Sequence, residues 1–307
     1  VIQRLLPFVT LIALFVGLSI ASPHFLTRQN LSTVARQTAV INVMALGMTL
    51  IIITGGIDLS VGAILALAGV GGTLALQAGA PVPAGVLAGV ATGGLCGIIN
   101  GVLTTKLRVH PFIITLGTLG IFRGVTLLIT NGLPVLGVPR SFSYIGEGNL
   151  LGAPFALWVE LGCAVLMHFI LEHTKVGRYA FSIGSNEAAA FYAGIPVSFH
   201  IVAAYAIGGM LTGLAGMIEA SRLMTGQPTA GIGYELWAIA AVVIGGGSLR
   251  GGEGGVVGTL IGGFIMGLLS NGCDLLGTKP YVQQVVIGAA IILAVTADEV
   301  RKRRVAQ

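Results

Sequence analysis

Charge is scarce in this 307-residue chain: 9% of residues are Asp, Glu, Lys or Arg, against 55% hydrophobic residues and a mean hydropathy of +0.95. A water-facing domain with that balance would not stay soluble, so a soluble enzyme is excluded and no nucleic-acid partner is expected. Cysteine is almost as rare. Cys96, Cys163 and Cys273 are odd in number and far apart, and the first two sit inside apolar runs, which suits small buried hydrophobes rather than a disulfide or metal set. Catalytic signatures are missing as well. There is no G-x-x-x-x-G-K-[ST] loop and no Gly-Lys pair anywhere, so the chain does not hydrolyse ATP by that route. It also lacks H-E-x-x-H and G-x-S-x-G, and its histidines (24, 110, 168, 173 and 200) are dispersed. No cofactor, metal or catalytic set is expected.

What the chain does have is apolar runs of roughly 15 to 22 residues, long enough at about 1.5 Å per residue to cross a bilayer core of about 30 Å with help from flanking residues. Ten can be drawn: Leu5–Ala21, Thr38–Thr54, Val61–Gln77, Val82–Leu103, Phe112–Thr130, Phe155–Leu171, Phe199–Ile218, Tyr234–Ile244, Val256–Ser270 and Val282–Thr296. The short alternating segments of a membrane barrel are not seen. The expectation is an all-α polytopic membrane protein, one domain over residues 1–307, with the first run a span rather than a removed signal. Ten spans put both termini on one side. With the termini inside, the inner loops and tails hold ten Lys and Arg and the outer loops five, Arg123 lying within a span, so both termini are expected in the cytoplasm. The tail Arg301–Arg304 supplies four of those ten.

Glycine is abundant, at 48 residues. Gly85, Gly89, Gly93, Gly97 and Gly101 recur at helical spacing and leave one face without side chains, a seam along which two backbones can close. Shorter versions are Gly209 to Gly213 and Gly258 to Gly262. Two Gly-rich breaks, around residues 52–69 and 243–263, resemble one another, and the 11-residue run at Tyr234–Ile244 is too short to cross a bilayer alone. Interrupted spans of this kind are where transporters place their pathways.

One break, ITGGIDLSVG (residues 53–62), holds a single carboxylate. Asp58 marks either a gap between spans or a working group inside one, because an unpartnered charge in hydrocarbon is costly. The charge count places it at the cytoplasmic end of two spans, where it is expected to cap the third helix by accepting from the N–H groups near Val61 and Gly62, with Ser60 as a competing cap. On the same side lies GRYAFSIGSNEAAAFYAGIPV (residues 177–197). Ser185 or Asn186 can cap a short helix there, Glu187 in its first turn faces the positive end of the dipole, Ala188 to Ala190 favour helix, and Gly194 before Pro196 ends it. That helix, about 15 Å long, could be a plain connector. Its small faces and Phe191 or Tyr192 also suit a groove on another protein.

The residues Glu187, Ala188 and Ala189 followed by Gly194 resemble the coupling loop of ABC importer permeases. ITGGIDLSVG, then Asn100-Gly101, then HPFIITLGT (residues 110–118), then GRYAFSIGSNEAAAFYAGI, are together similar to the ribose-type sugar permeases of bacteria over nearly the whole chain. One departure is that four residues, Ala190 to Ala193, separate EAA from glycine where the general importer loop has three. The resemblance implies a multi-pass inner-membrane permease, working as a dimer with a second copy or a paralogue. It would receive sugar from a periplasmic binding protein and be driven by cytoplasmic ABC ATPase subunits. Gly184, Ser185, Asn186, Glu187, Ala188, Ala189 and Gly194 would then meet the ATPase, which explains the missing phosphate loop.

Sugars need hydrogen bonds and an aromatic face, so Asn100, Arg123, Trp237 and Asn271 are pathway candidates; Arg123 with Glu160 could instead be a buried ion pair. Outside, Arg140 and Arg222 suit docking of the binding protein or contact with lipid phosphates. Branched-chain amino acids or nucleosides are alternative cargoes of the same architecture. A secondary transporter working without an ATPase is a more distant alternative.

Overall fold

A computed structural model describes residues 2–305; the side chains of residues 1–5, 280, 291, 294, 295 and 297–307 lie outside the described set. The side chains of Arg4 and of Arg301–Arg304, on which the orientation count leans, are among those outside it. The order is α1 (Ile2–Ala21), α2 (Arg28–Ile53), α3 (Val61–Gln77), α4 (Val82–Leu107), α5 (Pro111–Thr130), a 3-10 turn at Arg140–Phe142, α6 (Ser143–Glu147) and a hairpin of β1 (Asn149–Leu150) and β2 (Ala153–Pro154). There follow α7 (Phe155–His173), α8 (Lys175–Ser185), α9 (Glu187–Tyr192), α10 (Val197–Leu223), α11 (Tyr234–Ile244), α12 (Val256–Leu275) and α13 (Pro280–Val305). The hairpin pairs Asn149 with Pro154 and Leu150 with Ala153. The remaining regular elements are helices, joined by turns and loops such as residues 131–139, 224–233 and 245–255.

Among the described residues, six helices are long and apolar enough to cross a membrane by length and composition: α2, α4, α5, α7, α10 and α12. Shorter apolar stretches lie in α1, α3, α11 and α13. Helix α2 begins ten residues before its apolar run, because Thr27 caps it by accepting from Asn30 N at 3.3 Å. It then runs through the centre. Every residue from 38 to 54 is buried, the mark of a helix enclosed on all sides. Helix α8 was not anticipated: its charged and aromatic residues hide an amphipathic helix whose Gly177, Ala180 and Ile183 face inward.

The glycine seam forms as expected and pairs α4 with α10, the most extensive helix contact of the fold. A Cβ at Gly93 would overlap the carbonyl oxygen of Gly209, and one at Gly97 the carbonyl oxygen of Tyr205; at Gly101 it would stand 2.7 Å from Val202 Cα. Gly258 and Gly262 bring α12 against Gly245 and Ala241 in the same way. In hydrocarbon such approach supplies van der Waals contact, since apolar burial gives no net drive there.

The bundle has two ends. One, the near end, carries α8, α9 and the loop at residues 245–255; the other carries α6 and the hairpin. Helices α3 and α11 begin inside the bundle rather than at an end. Leu65, early in α3, meets Gly216, well past the middle of α10, and the backbone of Gly62 abuts that of Gly231, just ahead of α11.

Candidate functional site

At the near end, Asn186 links α8 to α9 in an extended conformation (φ −162°, ψ 100°), and its Oδ1 accepts from Ala189 N at 2.9 Å. Asn186 is therefore the cap, while Ser185 is the last residue of α8. Gly194 (φ +81°) closes the helix, a left-handed position that suits glycine. The helix is six residues, about 9 Å, shorter than the expected 15 Å because α8 absorbs Ser185 and because Ala193 and Gly194 form the turn. Ala190 alone among its residues is buried, packing with Ile183 and Val197. Phe191 and Tyr192 are 66% and 86% exposed, and Glu187, Ala188 and Ala189 are exposed too.

Just before this helix the two Gly-rich breaks meet. Gly252 N donates to the carbonyl of Ile53 at 2.9 Å. Gly184 lies so close to that carbonyl that a Cβ would overlap it, and a Cβ on Gly251 would stand 2.9 Å from Gly184 Cα and 3.0 Å from Gly55 Cα. Gly55, Gly251 and Gly252 all have positive φ (83°, 87° and 74°), so both turns need residues without a Cβ.

Five residues further on, Asp58 is 1% exposed. Its Oδ1 accepts from Ser60 N at 2.8 Å and Ser60 Oγ at 2.6 Å, and its Oδ2 from Asn100 Nδ2 at 3.2 Å; Asn100 Nδ2 also reaches Ser60 Oγ at 2.8 Å. This corrects the expected cap. Ser60 is the N-cap of α3, without a side-chain cap bond, and Asp58 folds back on Ser60 instead of reaching Val61 or Gly62. The break enters the bundle rather than lying on its surface, and there Asp58 meets α4. The Ile57 carbonyl beside it accepts from Thr115 Oγ1 of α5 at 3.0 Å and Tyr205 Oη of α10 at 3.3 Å. In the sequence Thr115, within HPFIITLGT, and Tyr205 carry only the signal of a hydroxyl in an apolar run, which many buried residues share.

Deeper still, Arg123 Nη1 donates to the carbonyls of Pro228 at 2.7 Å and Ala230 at 2.8 Å, and Nη2 to that of Gly62 at 3.2 Å. It thus pins the segment ahead of α11 to the start of α3. The alternative of an Arg123–Glu160 ion pair is overturned: Glu160 Oε1 accepts from Asn42 Nδ2 at 2.7 Å, linking α7 to α2.

A family model described as the permease component of the branched-chain amino acid transport system matches residues 30–295. The chain belongs to this permease family. It is 44% identical to the ribose import permease of Escherichia coli K12 over 294 residues, covering 94% of this chain and 92% of that protein. Identity to the ribose import permease of Bacillus subtilis 168 is 45% over 300 residues, covering 97% and 93%. The D-allose transport system permease of E. coli K12 is 40% identical over 281 residues, covering 91% and 86%. No solved structure matches the chain. The permease is a multi-pass protein of a bacterial inner membrane, a transport subunit and not an enzyme.

The permease's other candidate residues are spread out. Trp237 is half-buried on α11, its ring 6.0 Å from that of Tyr234. Asn271 exchanges two amide bonds with Asn30, at 2.8 and 3.0 Å, joining α12 to α2 toward the end that carries α6. Arg140 is exposed on the 3-10 turn. Arg222 is bound by Glu219 through two bonds, at 2.8 and 3.1 Å, so its guanidinium is already engaged within its own helix.

Proposed function

We propose that this permease is the membrane subunit of a binding-protein-dependent ABC importer for a ribose-like monosaccharide, driven by separate cytoplasmic ATPase subunits. The observation that carries this reading is the near-full-length similarity to two ribose import permeases, from E. coli and B. subtilis. The ten apolar helices are taken as ten crossings, α3 and α11 being completed by the non-helical segments ahead of them. Both termini and α9 then lie on the cytoplasmic side. Two such subunits, identical or paralogous, form the dimer in the lipid bilayer.

In this reading α9 enters a groove on the ATPase, with Phe191 and Tyr192 as anchors, Glu187 to Ala189 along its contact face, and Gly184 and Ser185 relaying its movement to the Gly-rich junction. Rigid-body displacement of a short helix is a two-position element of the kind that couples distant sites. Arg123 and Trp237 are the pathway residues; Asn100, fully buried on Asp58 and Ser60, and Asn271, bound to Asn30, would join them only by releasing those partners. Arg140 is the docking residue for the binding protein, with Arg222 held back by Glu219.

The family description also admits an amino-acid cargo. A zwitterion would ask for charged partners in the pathway; Arg123 is held there by three carbonyls and Glu219 by Arg222, and the similarity to two ribose import permeases favours the sugar. The test is uptake into proteoliposomes holding the permease, its ATPase and the binding protein. Ribose uptake should require ATP, and F191A/Y192A should abolish both uptake and capture of the ATPase while leaving membrane insertion intact. Uptake driven by an ion gradient without the ATPase would overturn the reading in favour of a secondary transporter.

A further inference from the structure

The ten residues from Ile53 to Gly62 are fastened at three levels. At the near end, the Ile53 carbonyl accepts from Gly252 N and packs against Gly184, three residues before α9 begins. In the middle, the Ile57 carbonyl is held from α5 and α10, and Asp58 from Ser60 and from Asn100 of α4. At the inner end, the Gly62 carbonyl accepts from Arg123, which also grips the segment ahead of α11. A push on Gly184 arrives at Ile53, next to Gly55 and Gly56. These two glycines would let the turn flex and dissipate the displacement. Asp58 opposes that flexing: one carboxylate oxygen closes the turn on Ser60, and the other ties it to α4.

We infer that Asp58, together with Asn100, is the positioning element that carries movement of α9 through the turn at residues 53–60 to the start of α3. This inference rests on the transport reading above. In that role Asp58 touches neither solute nor nucleotide. Its side chain makes the turn rigid, so that α3 moves with α9 instead of lagging behind it.

The experiment compares D58A, N100A and D58A/N100A with N42A, which removes a buried bond of α2 to Glu160 away from the turn. Each is assembled with the ATPase and binding protein in proteoliposomes, and ATP hydrolysed per ribose imported is measured. D58A and N100A should each raise that ratio about tenfold. The double variant should exceed D58A only slightly and stay well below the product of the two single effects, because the Asp58–Asn100 bond is lost in both singles, and N42A should lower thermal stability with the wild-type ratio kept. An unchanged ratio in D58A overturns the inference, as does an equal rise in N42A, which would mean general loosening. Should D58A not fold, N100A alone carries the comparison. A second readout is amide exchange at residues 61–65, which should respond to ATP in wild type and not in the Asp58 or Asn100 variants, whatever solute is carried. Failure of ribose import by wild type would therefore strike the substrate reading, while the exchange measurement still decides the role of Asp58.

Discussion

Gly97→Ala adds one methyl group at the closest point of the α4–α10 seam. The new Cβ would overlap the carbonyl oxygen of Tyr205 and stand 2.8 Å from its carbonyl carbon and 3.1 Å from Ala206 Cα. Ordinary contact is about 3.5–4.0 Å, so the helices must part by about 1 Å there. A gap of that size forfeits a quarter to a half of each dispersion contact, worth about 0.1–0.2 kcal/mol per pair; over roughly 20 pairs the loss is about 1 kcal/mol. Overpacking strain adds about 1–3 kcal/mol. Helix propensity returns up to about 1 kcal/mol. The net expectation is destabilisation by about 1–4 kcal/mol. Gly162→Ala on α7 is the matched control, since a Cβ there meets nothing within 4 Å, and it should be neutral or stabilising by up to about 1 kcal/mol. Thermal unfolding of detergent-purified protein measures both, at about 2–4 °C per kcal/mol. A G97A midpoint at or above that of G162A would refute the close seam.

Two further outcomes follow from the buried polar contacts. R123A strands three carbonyls, at about 1–3 kcal/mol for each that stays buried, and R123K supplies a point charge that cannot span both segments; folded yield by size-exclusion chromatography should rank wild type above R123K above R123A, and a wild-type yield for R123A would contradict the staple. N30A and N271A should each lower the unfolding temperature while N30A/N271A loses little more than either single, a coupling of about 1 kcal/mol; strict additivity would mean that the reciprocal amide pair contributes nothing.

The membrane class and the positions of the apolar helices were legible because hydropathy reports a segment's environment directly. The bounds of α3 (Val61–Gln77) and α11 (Tyr234–Ile244) agree with the sequence runs to the residue, since glycine-rich turns flank both. The α4 seam was legible for a related reason: the spacing of its glycines leaves a bare face whatever the partner. Helix α8 was hidden because its inward face is only Gly177, Ala180 and Ile183 amid charged and aromatic neighbours. The partners of Asp58 and Arg123 were hidden for a different reason. Their bonds reach Asn100, Gly62, Pro228 and Ala230, and which distant backbone carbonyl a side chain meets depends on helix packing, not on local pattern. The Arg123–Glu160 pairing failed on that point: opposite signs in neighbouring spans do not fix which helix faces which.

Charge scarcity also bears on why Asp58 is there at all. Arg36 pairs with Glu147 and Arg222 with Glu219, and neither pair involves Asp58. Its carboxylate is held by neutral donors: Ser60 N, Ser60 Oγ and Asn100 Nδ2. A turn that needed only to be stable could be built from apolar side chains, since burying a charged group without a counter-ion costs several kcal/mol even after relaxation. Hydrogen bonds to charged acceptors recover about 1.5–3 kcal/mol each, enough to offset most of that cost without a clear surplus. Stability alone is thus a weak reason to keep a carboxylate in this position. Stiffness is a better one, because two short bonds close the turn on Ser60 and a third, at 3.2 Å, ties it to α4, and the two glycines before it would otherwise leave the turn free to flex.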